Sequence, residues 1–128
     1  MSKSNTLENQ ILDHVLRNTA YTSPTTVYLA LSTADPTEAG SGMTEPSGNG
    51  YARQAITFGA AAAGQIQNTS THDFTAAGGN WGTLTHFAIY DAVTAGNILY
   101  YGALDTARTI NDTDTISFAS ASVTVTED

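Results

Sequence analysis

The sequence predicts an all-β protein: an antiparallel β-sandwich of about seven or eight strands with one N-terminal α-helix. Apolar and polar residues alternate with a period of two in most segments after residue 26, which is typical of strands. Gly, Asn, Asp and Pro separate these segments at short spacing. Only residues 5–18 place apolar side chains at helical spacing. A closed barrel is the less favoured alternative.

The size and charge of the chain limit its class. At 128 residues, we expect a single domain over 1–128, with the helix at 5–18 and a β-sandwich body at 26–126. Twelve acidic and four basic residues give a net charge of −8, so phosphate groups would repel the chain. This predicts no nucleic-acid partner. No apolar run approaches ~20 residues, which predicts no membrane insertion. The absence of cysteine excludes disulfides and thiolate metal sites.

The predicted helix has one apolar stripe and signals at both ends. Asn5 with Glu8 resembles a capping box, and Asn18 is a suitable C-terminal stop. We expect the helix either to cover an open end of its own sheet, which is favoured, or to dock on a neighbouring subunit. The residues of the stripe are Leu7, Ile11, Leu12, Val15 and Leu16.

A strand, a long loop and a second strand are predicted next. Residues 26–32 alternate as a strand does, and residues 34–50 form a loop rich in Gly, Pro, Ser and Glu. A loop of this length is usually functional or mobile, and its low apolar content predicts that it stays on the surface. Residues 51–58 read as a strand with Arg53 in its middle. We expect Arg53 to form a salt bridge to a nearby carboxylate in preference to binding a ligand.

The organising feature of the body is a hairpin within residues 80–104. Two strands flank a short Gly/Asn turn, and both faces of the first strand are largely apolar, which predicts a central hairpin covered on both sides. One face is expected to consist of Thr85, Phe87 and Ile89, and the other of Leu84, His86, Ala88 and Tyr90.

Shorter strands are predicted around this hairpin. Candidates are residues 65–68, 71–74 and 107–110. In the C-terminal segment 115–126, the apolar residues change face part-way, which predicts a bulge or bend near Ala119.

No catalytic, cofactor or metal site is predicted from the residues. His14, His72 and His86 lack the spacing of metal ligands, and a zinc site needs three or four of them. The Asn111–Asp114 segment lacks the Gly and Glu of a calcium-binding loop, so an Asx-type turn is the favoured interpretation.

Several segments resemble a family of small tailed-bacteriophage proteins that are usually described as tail-fibre or tail proteins. The resemblance rests on VYLALSTADPTEAGSG (27–42), EPSGNGYARQAITFG (45–59) and WGTLTHFAIYDAVTAGNILYYGAL (81–104), with the Tyr-Thr-x-Pro link at 21–24. It implies a structural component of the virion, assembled in the host cytoplasm, and it implies no enzyme and no cofactor.

The resemblance leaves several roles open. The leading hypothesis is a tail or tail-fibre subunit that contacts copies of itself and other phage structural proteins, as a trimer if it belongs to a fibre. One alternative is a capsid cement or decoration protein, and another is a carbohydrate-binding module that contacts a host-surface glycan through Trp81. We expect the helix and the long loop to form the interface, with candidate residues Leu7, Ile11, Val15, Glu38, Met43 and Glu45.

Overall fold

A computed structural model describes residues 1–127, which contain one helix and nine strands. The helix α1 is Asn5–Leu16, two residues shorter at its end than the predicted 5–18. The all-β prediction is confirmed. The strands are β1 (Ser2–Lys3), β2 (Val27–Ser32), β3 (Gln54–Ile56), β4 (Gln65–Gln67), β5 (His72–Thr75), β6 (Gly82–Tyr90), β7 (Ile98–Ile110), β8 (Thr115–Phe118) and β9 (Thr124–Thr126).

The strands form two layers. One layer is a five-stranded antiparallel sheet in the order β1-β7-β6-β2-β3, so the predicted hairpin β6–β7 lies inside the sheet with neighbours on both sides. The second layer consists of two separate two-stranded sheets, β4–β9 and β5–β8. This arrangement agrees with the predicted β-sandwich.

The main core lies between these layers. It joins aliphatic residues of the large sheet to aromatic and aliphatic residues of the small sheets. Trp81 packs edge-on against Tyr51, with ring centroids 5.5 Å apart, and Phe74 packs in the same way on Phe118 at 6.0 Å. The buried members are Leu29, Leu31, Ile56, Phe74, Ala76, Trp81, Leu84, Ile89, Ile110, Ile116 and Val123.

A smaller cluster covers the other face of the large sheet. Ala30 and Ala88 are fully buried there, beside Tyr90 and Ile98. Small side chains on neighbouring strands let the chain outside the sheet approach closely, and Met43 of the long loop packs onto them. The prediction that both faces of the hairpin are covered is therefore confirmed.

The predicted face of Leu84 is wrong because β7 contains a bulge. Leu84 belongs to the main core with Phe87 and Ile89, whereas Ala88 lies in the cluster on the other face. Between the pairs Leu84–Arg108 and His86–Ala103, β6 has one residue and β7 has four. Such a bulge breaks the strict alternation of faces, so a period-two pattern read across it assigns the wrong side.

Several predicted boundaries also change. The predicted strand at 107–110 and the strand that begins at Ile98 form one strand, β7, which bulges at 104–107. The predicted strand 51–58 is reduced to the three residues of β3. Strand β1 was not predicted, because two residues carry no periodicity. The predicted bend near Ala119 is confirmed, since the chain turns between β8 and β9.

The core assignment predicts a large loss of stability for Leu29→Ala. Leu29 is fully buried, so its truncation removes apolar burial and leaves a cavity, and we expect unfolding to become easier by about 2–5 kcal/mol. Urea unfolding followed by circular dichroism measures the change. The matched control Val93→Ala, at a position 50% exposed and outside α1, should change stability by less than about 0.5 kcal/mol. Equal effects of the two substitutions would contradict this core.

Candidate assembly surface

The first turn of α1 is fixed to the body of the protein. The Ser4 hydroxyl accepts a hydrogen bond from the backbone N–H of Leu7 at 3.2 Å and donates one to the carbonyl of Ile98 at 2.6 Å. The backbone N–H of Asn5 donates to the carbonyl of Glu38 at 2.9 Å. The predicted capping box at Asn5 is therefore wrong. Ser4 is the N-cap because it is completely buried and also satisfies an acceptor of β7.

The remainder of α1 leaves most of its apolar stripe uncovered. Of the five residues of the predicted stripe, Leu7 is buried, at 4% exposure, and Ile11 is half-buried. The favoured expectation that the helix covers its own sheet thus holds for its first turn alone. The other three are largely exposed: Leu12 at 56%, Val15 at 68% and Leu16 at 75%. These three residues together are called the α1 stripe below.

The helix ends where the sequence predicts a stop. Asn18 adopts a left-handed conformation with φ 55°, which asparagine tolerates better than most residues. The N–H of Thr19 then donates to the carbonyl of Asp13 at 3.1 Å and closes the last turn. This cap fixes the helix end, so Val15 and Leu16 remain part of a formed helix.

The long loop at 34–50 is more closely tied to the body than its composition predicts. The N–H of Thr33 donates to the carbonyl of Thr44, and the Ser32 hydroxyl accepts from the N–H of Thr44, both at 2.9 Å. A side chain at Gly42 would collide with the carbonyl of Asp35, so glycine allows this tight return. The loop therefore folds back along β2.

Arg53 joins the end of this loop to the turn of the central hairpin. Its Nε and Nη2 donate to the two carboxylate oxygens of Glu45 at 2.9 and 3.0 Å. Its Nη1 donates to the carbonyls of Ala92 and Ala95, each at 2.8 Å. The guanidinium lies over the ring of Tyr90, 3.7 Å from the centroid, and the Arg53 side chain is 7% exposed. The predicted salt bridge of Arg53 is confirmed.

Tyr51 extends this cluster into the sheet. Its hydroxyl donates to Glu45 at 2.7 Å and accepts from the backbone N–H of Leu31 at 3.0 Å. Burial raises the pKa of Tyr51 far above its usual range, and the hydrogen bond to Glu45 acts in the same direction. The hydroxyl therefore stays protonated and keeps donating to the carboxylate.

The six predicted interface residues occupy different environments. Glu38 and Val15 are exposed, and Ile11 is half-buried. Leu7 is buried in its own chain, Met43 packs on the smaller cluster, and Glu45 pairs with Arg53. Their role between subunits stays a prediction. Leu12 and Leu16 belong to the predicted stripe but not to the six predicted interface residues. Their side chains are among the most exposed apolar ones in residues 1–127.

The polar residues of the Asn111–Asp114 segment contact one another. The backbone N–H of Asp114 donates to the carbonyl of Asn111 at 3.0 Å, and the Asp114 carboxylate accepts from the N–H of Asn111 at 2.9 Å. The segment is thus a turn, but this side-chain bond runs three residues back and is not the bond of an Asx turn. Within residues 1–127, no group of three His, Cys, Asp or Glu side chains is placed to hold a metal ion. In the same part of the chain, no helix has the length and apolar character needed to cross a membrane.

Comparison with protein families identifies the chain. A family model described as podophage GP4 fiber I protein gp80 matches residues 2–126, which is almost the whole sequence. The chain belongs to this family. Membership in this podophage fibre family gives it a structural role in a phage tail fibre and makes it a component of the virion. The resemblance to tailed-phage tail-fibre proteins is confirmed. No curated protein matches the sequence.

The Arg53 cluster predicts that lysine cannot replace this arginine. Arg53→Lys keeps the charge but loses the paired hydrogen bonds to Glu45 and the flat contact with Tyr90, so we expect a loss of about 1.5–3 kcal/mol in urea unfolding. The control Arg17→Lys makes the same change in an exposed helix pair with Asp13 and should cost less than about 0.5 kcal/mol. Matching losses for both variants would refute a special role for Arg53.

The environment of the Tyr100 hydroxyl predicts a loss of stability at high pH. Burial and the neighbouring Glu127 carboxylate, which accepts a hydrogen bond from its hydroxyl, raise the pKa of Tyr100 to about 12. In the unfolded chain the pKa of tyrosine is about 10. The stabilisation that comes from the raised pKa is therefore complete below pH 10 and is lost as the pH rises through 12. The unfolding free energy of Tyr100→Phe should fall less over this interval than that of the parent. Identical pH profiles would contradict the assignment.

Proposed function

We propose that this chain is a tail-fibre subunit that assembles through surface contacts with copies of itself and with other phage structural proteins, and that it catalyses no reaction. The α1 stripe carries this proposal. Leu12, Val15 and Leu16 place three large aliphatic side chains side by side in water, on a helix whose first turn is firmly anchored. Contiguous exposed apolar surface of this kind marks an interaction site more often than isolated exposed residues do.

The fold of the single chain gives no reason for an apolar stripe. Glutamine and glutamate form helices about as well as leucine and better than valine, so polar residues at these positions would support α1 equally. Elsewhere in residues 1–127 the large aliphatic side chains are mostly buried or half-buried, apart from Val93, which is 50% exposed. The stripe therefore favours a partner surface that removes it from water.

The proposal treats residues 1–128 as one domain. The main core draws on residues from Leu29 to Val123, and β1 at the N-terminus pairs with β7. Lys3 and Glu127 form an ion pair that links the two ends of the chain. These contacts support a single cooperative unit, and coincident unfolding transitions by near- and far-ultraviolet circular dichroism are expected.

The alternatives receive less support. A carbohydrate-binding module would need an exposed aromatic ring, but Trp81 is 6% exposed and its Nε1 donates to the carbonyl of Asn49 at 2.9 Å. Its ring belongs to the main core. A capsid decoration protein would use the same kind of surface contact, and membership in a fibre family favours the tail over the capsid.

The proposal predicts that polar substitution of the stripe prevents assembly without unfolding the subunit. We expect the triple variant Leu12→Gln, Val15→Gln, Leu16→Gln to keep the parent's circular dichroism spectrum. Because each of these side chains contributes about 1.5–3 kcal/mol when fully buried, self-association measured by light scattering should weaken at least about 100-fold. Complementation of a phage that lacks the gene should then give virions without the protein.

A variant on the other side of α1 provides the matched control. Thr6→Gln with Arg17→Gln changes two exposed positions away from the stripe and should leave assembly and incorporation unchanged. If the triple variant stays folded, associates like the parent and enters virions normally, the stripe is not an assembly surface and the proposal is wrong.

A further inference from the structure

A groove with a mixed polar and apolar lining opens between the two layers of the sandwich. It is a cavity of about 490 Å³ bounded by the second half of β7 on one side and by β8 and β9 on the other. Phe87, Leu104 and Phe118 line it, and all three are half-buried extensions of the main core. Asp105 and Arg108 supply charged groups in its lining.

The groove exists because no strand closes this side. Strand β7 bulges away from β6 at residues 104–107, while β8 pairs with β5 and β9 pairs with β4. In residues 1–127, neither β8 nor β9 pairs with β7, so the two layers separate there and leave core aromatic rings partly in water. The opening is therefore part of the fold.

The groove also contains a cation that its own chain leaves unpaired. Arg108 has no ion-pair partner among residues 1–127, although the sequence has twelve acidic residues. An exposed arginine beside half-buried aromatic and aliphatic side chains suits a carboxylate that arrives with a partner. The other basic residues are paired: Lys3 with Glu127, Arg17 with Asp13 and Arg53 with Glu45.

The α1 stripe has the complementary properties. Glu8 lies one helical turn before Leu12 and two turns before Val15, so the carboxylate shares the face of the stripe. Glu8 is in no ion pair among the described residues. One face of α1 thus presents aliphatic side chains with a negative charge at its N-terminal end, opposite in sign to Arg108, although the groove lining also contains the Asp105 carboxylate.

We propose that α1 of one copy lies in the groove of a second copy, with the stripe over Phe87, Leu104 and Phe118 and Glu8 beside Arg108. This inference rests on the proposed function and names the partner of the stripe. The occupant is a second copy because both halves of the contact belong to this chain: the aliphatic stripe suits the apolar part of the groove, and Glu8 is opposite in charge to Arg108. Since helix and groove are different surfaces, the contact runs head to tail and gives a closed ring or a filament.

Cross-linking between single-cysteine variants tests the contact. The chain contains no cysteine, so Val15→Cys on the stripe and Thr106→Cys in the groove each introduce one unique thiol at an exposed position. A short bis-maleimide added to an equal mixture should join the two variants as the major dimer. A chain with both cysteines should give a ladder of covalent oligomers. Ser47→Cys, in an exposed part of the loop, serves as the control partner for Val15→Cys.

Each outcome decides the inference. Cross-linking of the mixture well above the Ser47→Cys control supports helix-in-groove contact. Efficient cross-linking of Val15→Cys to itself, with little in the mixture, would show that stripes pack against stripes and would overturn the inference. A mixture no better than the control would also overturn it.

Charge reversal provides a second, independent test. Arg108→Glu alone and Glu8→Arg alone each place like charges together and should weaken association at least about ten-fold. The double variant, or a mixture of the two single variants, should recover most of this loss. Failure of both to recover it would contradict the pairing.

Failure of this inference is distinguishable from failure of the proposed function. If the polar stripe variant loses virion incorporation while the Val15–Thr106 cross-link is absent, the stripe assembles on another surface, and only the groove assignment is wrong. If the polar stripe variant assembles and enters virions normally, both the proposed function and the groove assignment are wrong.

Discussion

The Arg53–Glu45 interaction is the constraint on which the exposed surface of this protein depends. It fixes the end of the long loop against the turn of the central hairpin, with Tyr90 beneath the guanidinium. The loop so held presents the carbonyl of Glu38 to the N–H of Asn5, and Met43 to the outer face of the sheet. The start of α1 therefore contacts both this loop, at Glu38, and β7, at Ile98.

The anchoring of α1 explains how one short helix can serve its own chain and a neighbour. Ser4 and Leu7 commit the first turn to the body, and both are buried. Beyond that turn, the side chains of the stripe are 56–75% exposed, so most of their surface is available to a partner. An anchored helix is ordered before it binds, so little conformational entropy opposes association.

Local patterns predicted the type and place of most elements, and they failed where distant contacts decide the outcome. The alternation of β2 and β6, the helical spacing of α1 and the stop at Asn18 are local, and the structure contains them. The N-cap depends on a carbonyl of β7, and the face of Leu84 depends on a bulge in the neighbouring strand. The groove forms because β7, β8 and β9, although consecutive in sequence, pair with different strands, and no single segment contains a sign of those pairings.

The central claim is that the surface of α1 left open by its own chain is covered by a neighbouring copy in the assembled fibre. A cryo-EM map of the virion that resolves the fibre tests it most directly. We expect density for α1 of each copy between β7 and β8 of the next, with Arg108 beside the Glu8 carboxylate. Fibres in which α1 faces solvent, or lies along its own sheet, would contradict it.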